Sequence, residues 1–290
     1  MNATAGARGV EGTKTLGAAG RLGGKLPGML RVSKSVPNDR RAFLRGAASF
    51  ASAGLAGLIG PRSASAAAGP SDLRIGQLRT DGEWNPRPSA LRRLAWEIGQ
   101  RTSIEAGLEP EPVEPDGERL FRHPLLYWAG SGPTPDWSDA AIRNVRRHLS
   151  FGGVLLIDDA DAAPGGPFDG AVRAQVERLL PRAALEPIPP DHVLYKSFYL
   201  VPHQAGRRIA VPHLWGAELE ERYAVIYSNN DLGGAWARDA FGRWQYEVVP
   251  GGDDQREMAF RIGVNLAMYA LCLDYKDDLV HAPFIMRRRR

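Results

Sequence analysis

Asp158, Asp159 and Asp161 stand within four residues, directly after the apolar run Val154–Ile157. Clustered carboxylates offer oxygen ligands to a hard divalent cation such as Mg²⁺ or Ca²⁺. They also suit general acid–base chemistry. Neighbouring carboxylates raise one another's pKa unless a cation lies between them. Asp158 and Asp159 are therefore the first candidates to hold a metal ion. A second apolar run, Tyr223–Ser228, ends in Asn229-Asn230-Asp231, with Gly233-Gly234 close behind. Asn229 and Asp231 are candidates for the same site. The alternative is that they only shape a turn, since Asn and Asp tolerate the left-handed conformation. Arg79, Asp81 and Trp84 follow a third apolar segment. They complete the candidate set, against the alternative that Trp84 and its neighbouring prolines merely pin a loop.

Other chemistries find less support. Cys272 is the one cysteine. It excludes an intrachain disulfide and a multi-cysteine metal centre. Its setting, Leu271-Cys272-Leu273, predicts a buried structural thiol. His203 and His213 lack zinc-ligand spacing. Asp191-His192 is a possible acid–base pair, although adjacent residues rarely face each other. Gly130-Ser131-Gly132-Pro133 offers backbone N–H groups to an anion but lacks the lysine and helix start of a P-loop.

Strands and helices must alternate to place these residues together. Leu73–Arg79 reads as a first strand. Ser89 is expected to cap a helix whose buried face carries Leu91, Leu94, Ala95 and Ile98. His123–Ala129 is a buried strand. Ser138 caps a helix with an apolar stripe of Ile142, Val145 and Leu149. Gly152-Gly153 ends it in a left-handed turn, and Val154–Ile157 is the next strand. A helix from Phe168 or Asp169 buries Val172, Val176, Leu179 and Leu180. Arg208–Val211 and Tyr223–Ser228 read as further strands, and Gln255–Leu273 as a long helix. This alternation predicts an α/β fold with a mainly parallel sheet. Ligands in such folds sit at the carboxyl ends of the strands, where all three candidate groups fall.

The chain's +4 charge comes from its beginning. Residues 1–66 hold 10 Lys/Arg against 2 Asp/Glu, leaving 27 against 31 for residues 67–290. An acidic body argues against nucleic acid as a partner. Arg40-Arg41 lies in Asn38–Arg45, which is similar to a twin-arginine export motif. A Gly/Ala-rich apolar run and Ala64-Ser65-Ala66 follow in the order of a cleavable signal. Residues 1–66 are thus expected to be a signal peptide with a basic extension. Residues 72–285 are expected to be one domain, and 286–290 a basic tail. The expected location is the periplasm. No segment of the mature chain reads as a membrane span.

Several of these stretches occur together and in order. They are Leu78–Pro88, His123–Tyr127, Gly152-Gly153 before Ile157-Asp158-Asp159, and Pro189–His192. Ala224–Gly233 and Gly263–Leu266 complete the set. Together they resemble the bacterial domain-of-unknown-function family 4159 over residues 72–285. The resemblance implies a flavodoxin-like three-layer sandwich, similar to class I glutamine amidotransferases. In that fold a Gly-Gly and an apolar strand lead to a turn bearing a nucleophilic Cys. Here the resemblance puts Asp158 or Asp159 in that place. Without a thiolate, Cys–His amidotransfer is disfavoured. The expected function is an exported, non-catalytic module binding a small ligand or an envelope protein. The alternative is a hydrolase that depends on carboxylates or a divalent cation.

Overall fold

The computed structural model describes residues 72–202 and 205–287. The Arg40-Arg41 motif, the expected cleavage point, His203 and Arg288–Arg290 lie outside the described residues. The strands are β1 (Asp72–Leu73), β2 (Ile75–Leu78), β3 (Glu105–Ala106), β4 (Glu111–Val113), β5 (Leu125–Gly130), β6 (Val154–Asp159), β7 (Glu186–Pro187), β8 (Trp215–Leu219) and β9 (Arg222–Ser228). The helices are α1 (Ala90–Arg101), α2 (Asp139–Ser150), α3 (Pro167–Leu179), α4 (Leu232–Trp236) and α5 (Gly252–Arg287).

The main sheet has seven strands in the order β4-β2-β5-β6-β9-β8-β7. The first five are parallel, and only β8 runs against its neighbours. Taken in chain order, the parallel five lie 2-1-3-4-5 across the sheet, the flavodoxin-like order. The switch point falls between β2 and β5. β1 and β3 form a separate two-stranded pair.

Both sheet faces are covered, which is why the central strands are apolar without alternation. Val154 and Leu156 of β6 join one core with Leu94, Ile98, Trp236 and Ile262. Leu155 and Ile157 join the opposite core with Val145, Val172 and Val176. Helices α1, α4 and α5 therefore pack on one face, and α2 and α3 on the other. Gly152-Gly153 ends α2 as expected. Gly152 has φ +98°, and a Cβ on Gly153 would come within 2.0 Å of the His148 ring. Deep in α5, the buried Asn265 accepts from the Phe198 and Tyr199 N–H groups and donates to the Leu194 and Tyr199 carbonyls. It secures the long crossing between β7 and β8.

Five local expectations need correction. Arg208–Val211 is not a strand; only a single bridge links Arg208 to Val249. The Ala210 and Val211 N–H groups bind the Asn230 side chain instead of a neighbouring strand. Ser89 does not cap α1 through its side chain. Its hydroxyl donates to the Arg238 carbonyl at 2.7 Å and accepts from the Arg238 N–H at 3.0 Å. Cys272 is exposed, because α5 continues past the core that buries Tyr269 and Ala270. His192 is not paired with Asp191 for proton transfer. Its Nδ1 accepts from the Leu194 N–H, capping the short 3₁₀ turn Val193–Lys196. Finally, the proline-rich segment Glu186–His192 reads as a rigid loop, yet its first two residues form β7 and pair with β8. β8 joins β9 through Glu220-Glu221, both left-handed at φ +54° and +63°. Such turns usually carry Asn or Gly, so this hairpin leaves no ordinary trace in the sequence.

Candidate functional site

The carboxylates of Asp158 and Asp159 end up in different places. Successive side chains on a strand point to opposite faces, and both residues lie inside β6. Asp158 joins the face covered by α4, and Asp159 the face covered by α3. Both are fully buried. They cannot share one cation. Among the described residues no group of three His, Cys, Asp or Glu side chains is placed to hold a metal ion. The expected Mg²⁺ or Ca²⁺ centre at Asp158 and Asp159 therefore has no shared ligand set.

The first network centres on Asp231. This residue sits between β9 and α4 in the left-handed conformation, φ +52° and ψ +63°. A side chain held there costs about 1–3 kcal/mol and needs surrounding contacts to persist. Arg87 supplies two of them, with Nε to Oδ1 at 3.1 Å and Nη2 to Oδ2 at 2.9 Å. The Arg207 guanidinium also grips Oδ2. The Gly234 N–H donates to Oδ1 at 2.8 Å. A Cβ on Gly234 would lie 2.3 Å from that carboxylate, so only glycine permits the approach. Arg87 reaches further, donating to the Ala160 carbonyl at 2.9 Å and the Tyr246 hydroxyl at 3.2 Å. Its guanidinium also lies 4.2 Å from the centre of the Tyr246 ring. Burial lowers the Arg87 pKa, but the hydrogen bonds and charge of Asp231 outweigh it and the net shift is upward.

Asp158 borders this group. Its carboxylate accepts from the Leu232 N–H at 2.8 Å, the Gly233 N–H at 2.7 Å and the Tyr127 hydroxyl at 2.8 Å. Burial, together with the negative charge of Asp231, pushes its pKa up to about 7, against the pull of those donors. Tyr127 is raised well above its ordinary value by burial and by Asp158. Two acids and two arginines thus face one another with little access to water.

The second network lies across the sheet. Asp159 accepts from the N–H groups of Asp161 at 3.0 Å and Ala163 at 3.1 Å, both in its own loop. Asn229 donates to the Tyr227 hydroxyl at 2.6 Å, and to Asp159 and Asp169 at 3.3 Å. Its carbonyl oxygen accepts from the Trp215 indole at 2.9 Å. Asp169 also accepts from Tyr227, from the Gly165 N–H and from Arg173. Burial raises the Asp159 pKa. Burial also opposes ionisation of Asp169, but the Arg173 bond and its other donors prevail and hold it low.

The remaining candidates disperse. Asp161 accepts from the Gly132 N–H at 2.6 Å and ties the β6 loop to the β5 loop. Arg79 points outward and pairs with Glu114 at 3.5 Å, with both side chains about half exposed. Asp81 is exposed and Trp84 half-buried. Arg79 and Asp81 line a small polar cleft with Glu114 and Asp136, at the carboxyl ends of β2, β4 and β5. Structure thus joins Asp158 to Asp231, and Asp159 to Asn229, and leaves Arg79, Asp81 and Trp84 outside both groups.

Arg87, Arg207, Tyr246, Tyr127, Asp169 and Tyr227 were not evident as partners. One sign was available for Arg87: it stands between Pro86 and Pro88, where a rigid backbone fixes the direction of a long side chain. Arg207 and Tyr246 are held by the first turn of α5. The Gln255 amide donates to the Gly206 carbonyl at 2.7 Å and to the Val249 carbonyl at 2.9 Å. Arg256 donates to the Tyr246 carbonyl at 2.7 Å.

A family model for the Domain of unknown function (DUF4159) matches residues 74–271, which includes every residue of both networks. The chain belongs to the DUF4159 family. No curated protein matches it. The matched DUF4159 segment begins just before β2 and ends within α5, so it spans the seven-stranded sheet.

Proposed function

We propose that this DUF4159 chain is an exported, non-catalytic binding or envelope-assembly module on an amidotransferase-like α/β fold. One observation carries the reading: the strand-end carboxylates are occupied by internal donors. Asp231 receives two arginines and an N–H, Asp158 three donors, and Asp159 its own loop. An acid or base must reach a proton on a substrate, and a cation needs free oxygen lone pairs. Here those lone pairs hold the fold together. The amidotransferase comparison rests on the 2-1-3-4-5 strand order and the Gly-Gly lead into β6. It departs at the expected nucleophile position, because Asp158 and Asp159 stay within a regular strand.

The carboxylate-dependent hydrolase keeps one point in its favour. Asp231 occupies a left-handed turn between strand and helix, a geometry that elsewhere presents a nucleophile. Its arginine clamp counts against that role. Melting of the full-length protein, followed during titration with Mg²⁺, Ca²⁺ and Mn²⁺, separates the readings. The binding-module reading expects no specific stabilisation by any of the three ions. A rise in Tm that Asp158→Asn or Asp159→Asn abolishes would instead establish a cation-dependent carboxylate site.

A further inference from the structure

A cleft of about 560 Å³ opens beside the outer face of α1. This volume suits a small-molecule ligand, for which pockets of about 300–1,000 Å³ are usual. Arg92, Arg93 and Trp96 of α1 form one wall. Leu108 and the segment from Arg238 to Gly242 form the others. The cleft is separate from both buried networks, so its use does not depend on whether those networks are catalytic.

Its chemistry is mixed. Trp96 and Leu108 are 42% and 45% exposed and give the cleft an apolar surface. Arg93 stacks on Trp96 with its guanidinium carbon 4.1 Å from the ring centre. That contact holds the charge at the edge of the apolar wall. The nearby acids leave a positive excess. Glu97 is shared between Arg93 and Arg101. Arg92 meets the exposed Glu109 at 3.2 Å. Asp239 pairs with Arg243 at 2.9 Å. Arg238 bonds to the Gly242 carbonyl and lies 3.8 Å over Trp244, without an ion pair among the described residues. The Nε atoms of Arg93 and Arg238 are both buried without a hydrogen-bond partner among the described residues. Burial, and then the charge of Arg238, hold the Arg93 pKa below its ordinary value despite Glu97. An arriving anion relieves that repulsion.

We propose that this cleft binds a small organic oxyanion on a flat apolar body, with the body against Trp96 and Leu108 and the oxyanion among Arg92, Arg93 and Arg238. Guanidinium groups suit carboxylate and phosphate equally in geometry, so the oxyanion is the shared feature. Calorimetry on the full-length protein tests it with 1-naphthaleneacetate and 1-naphthyl phosphate as probes. Neutral 1-naphthol and inorganic phosphate serve as controls. The expected result is saturable binding of at least one naphthyl anion, at least tenfold tighter than either control. The tighter anion identifies the oxyanion class. Arg92→Gln and Trp96→Ala alter exposed side chains, so each is expected to keep the parental Tm while weakening binding at least fivefold. Arg93→Gln is expected to weaken it further. Equal affinity for 1-naphthol and the anions would overturn the proposal, as would undiminished binding in the folded Arg92→Gln and Trp96→Ala proteins. Failure of both anions to bind at millimolar concentration would do the same.

Discussion

Asp231 and Asp158 differ in what holds them. Asp231 is buried and held by two arginines, Arg87 and Arg207. Removing one partner of a buried ion pair typically costs about 3–5 kcal/mol, because the other charge stays uncompensated. Asp231→Ala is therefore expected to destabilise the protein by about that amount in urea unfolding. A loss below about 1 kcal/mol would show that water already screens the cluster. Asp158 instead gives a pH signature. Its folded pKa, about 7, lies above the ordinary 3.8. A carboxyl raised on folding contributes stability below the unfolded value, and that contribution is lost as pH rises through the folded one. Each pH unit between the two values is worth about 1.4 kcal/mol at most. Tm is thus expected to fall between about pH 4 and pH 7 relative to Asp158→Asn, whose side chain cannot ionise. Parallel Tm profiles for the two proteins would contradict a raised Asp158 pKa.

Turns, rather than strand interiors, made the element-level differences. Ser89 was expected to cap α1, but its hydroxyl bridges to the backbone of Arg238 beyond α4. Ser89→Ala is accordingly expected to speed amide hydrogen exchange at Arg238 while leaving the amides of the α1 interior unchanged. Faster exchange throughout the first turn of α1 would restore the capping role. The β8–β9 hairpin teaches a related lesson. Its two left-handed glutamates carry no sequence signal of a hairpin, and β8 contains a glycine covered by Tyr223 rather than an alternating apolar face. By contrast, β5, β6 and β9 were legible because burial on both faces demands unbroken apolar runs. The stripe of α2 was legible for the complementary reason: one covered face selects Ile142, Val145 and Leu149 at helical spacing.

At the scale of the whole molecule, the charge division motivates a test of export. The excess of basic residues is confined to residues 1–66, and among the described residues no helix is long and apolar enough to cross a membrane. Arg40→Lys combined with Arg41→Lys is expected to leave the full-length precursor in the cytoplasm in a fractionation assay. Continued delivery to the periplasm would remove the twin-arginine reading.

The sequence by itself determined the α/β class, the central strands and the family, since each depends on local periodicity or ordered motifs. It also located the polar residues at the strand ends. Only the tertiary structure decided what those residues do there. Adjacent aspartates in one strand must face opposite layers, so Asp158 and Asp159 separate despite their proximity in the chain. Arg87 lies 144 residues from the Asp231 carboxylate it holds. No spacing rule reaches that far; the pairing exists because β2, β5, β6 and β9 run parallel and end on the same side of one sheet.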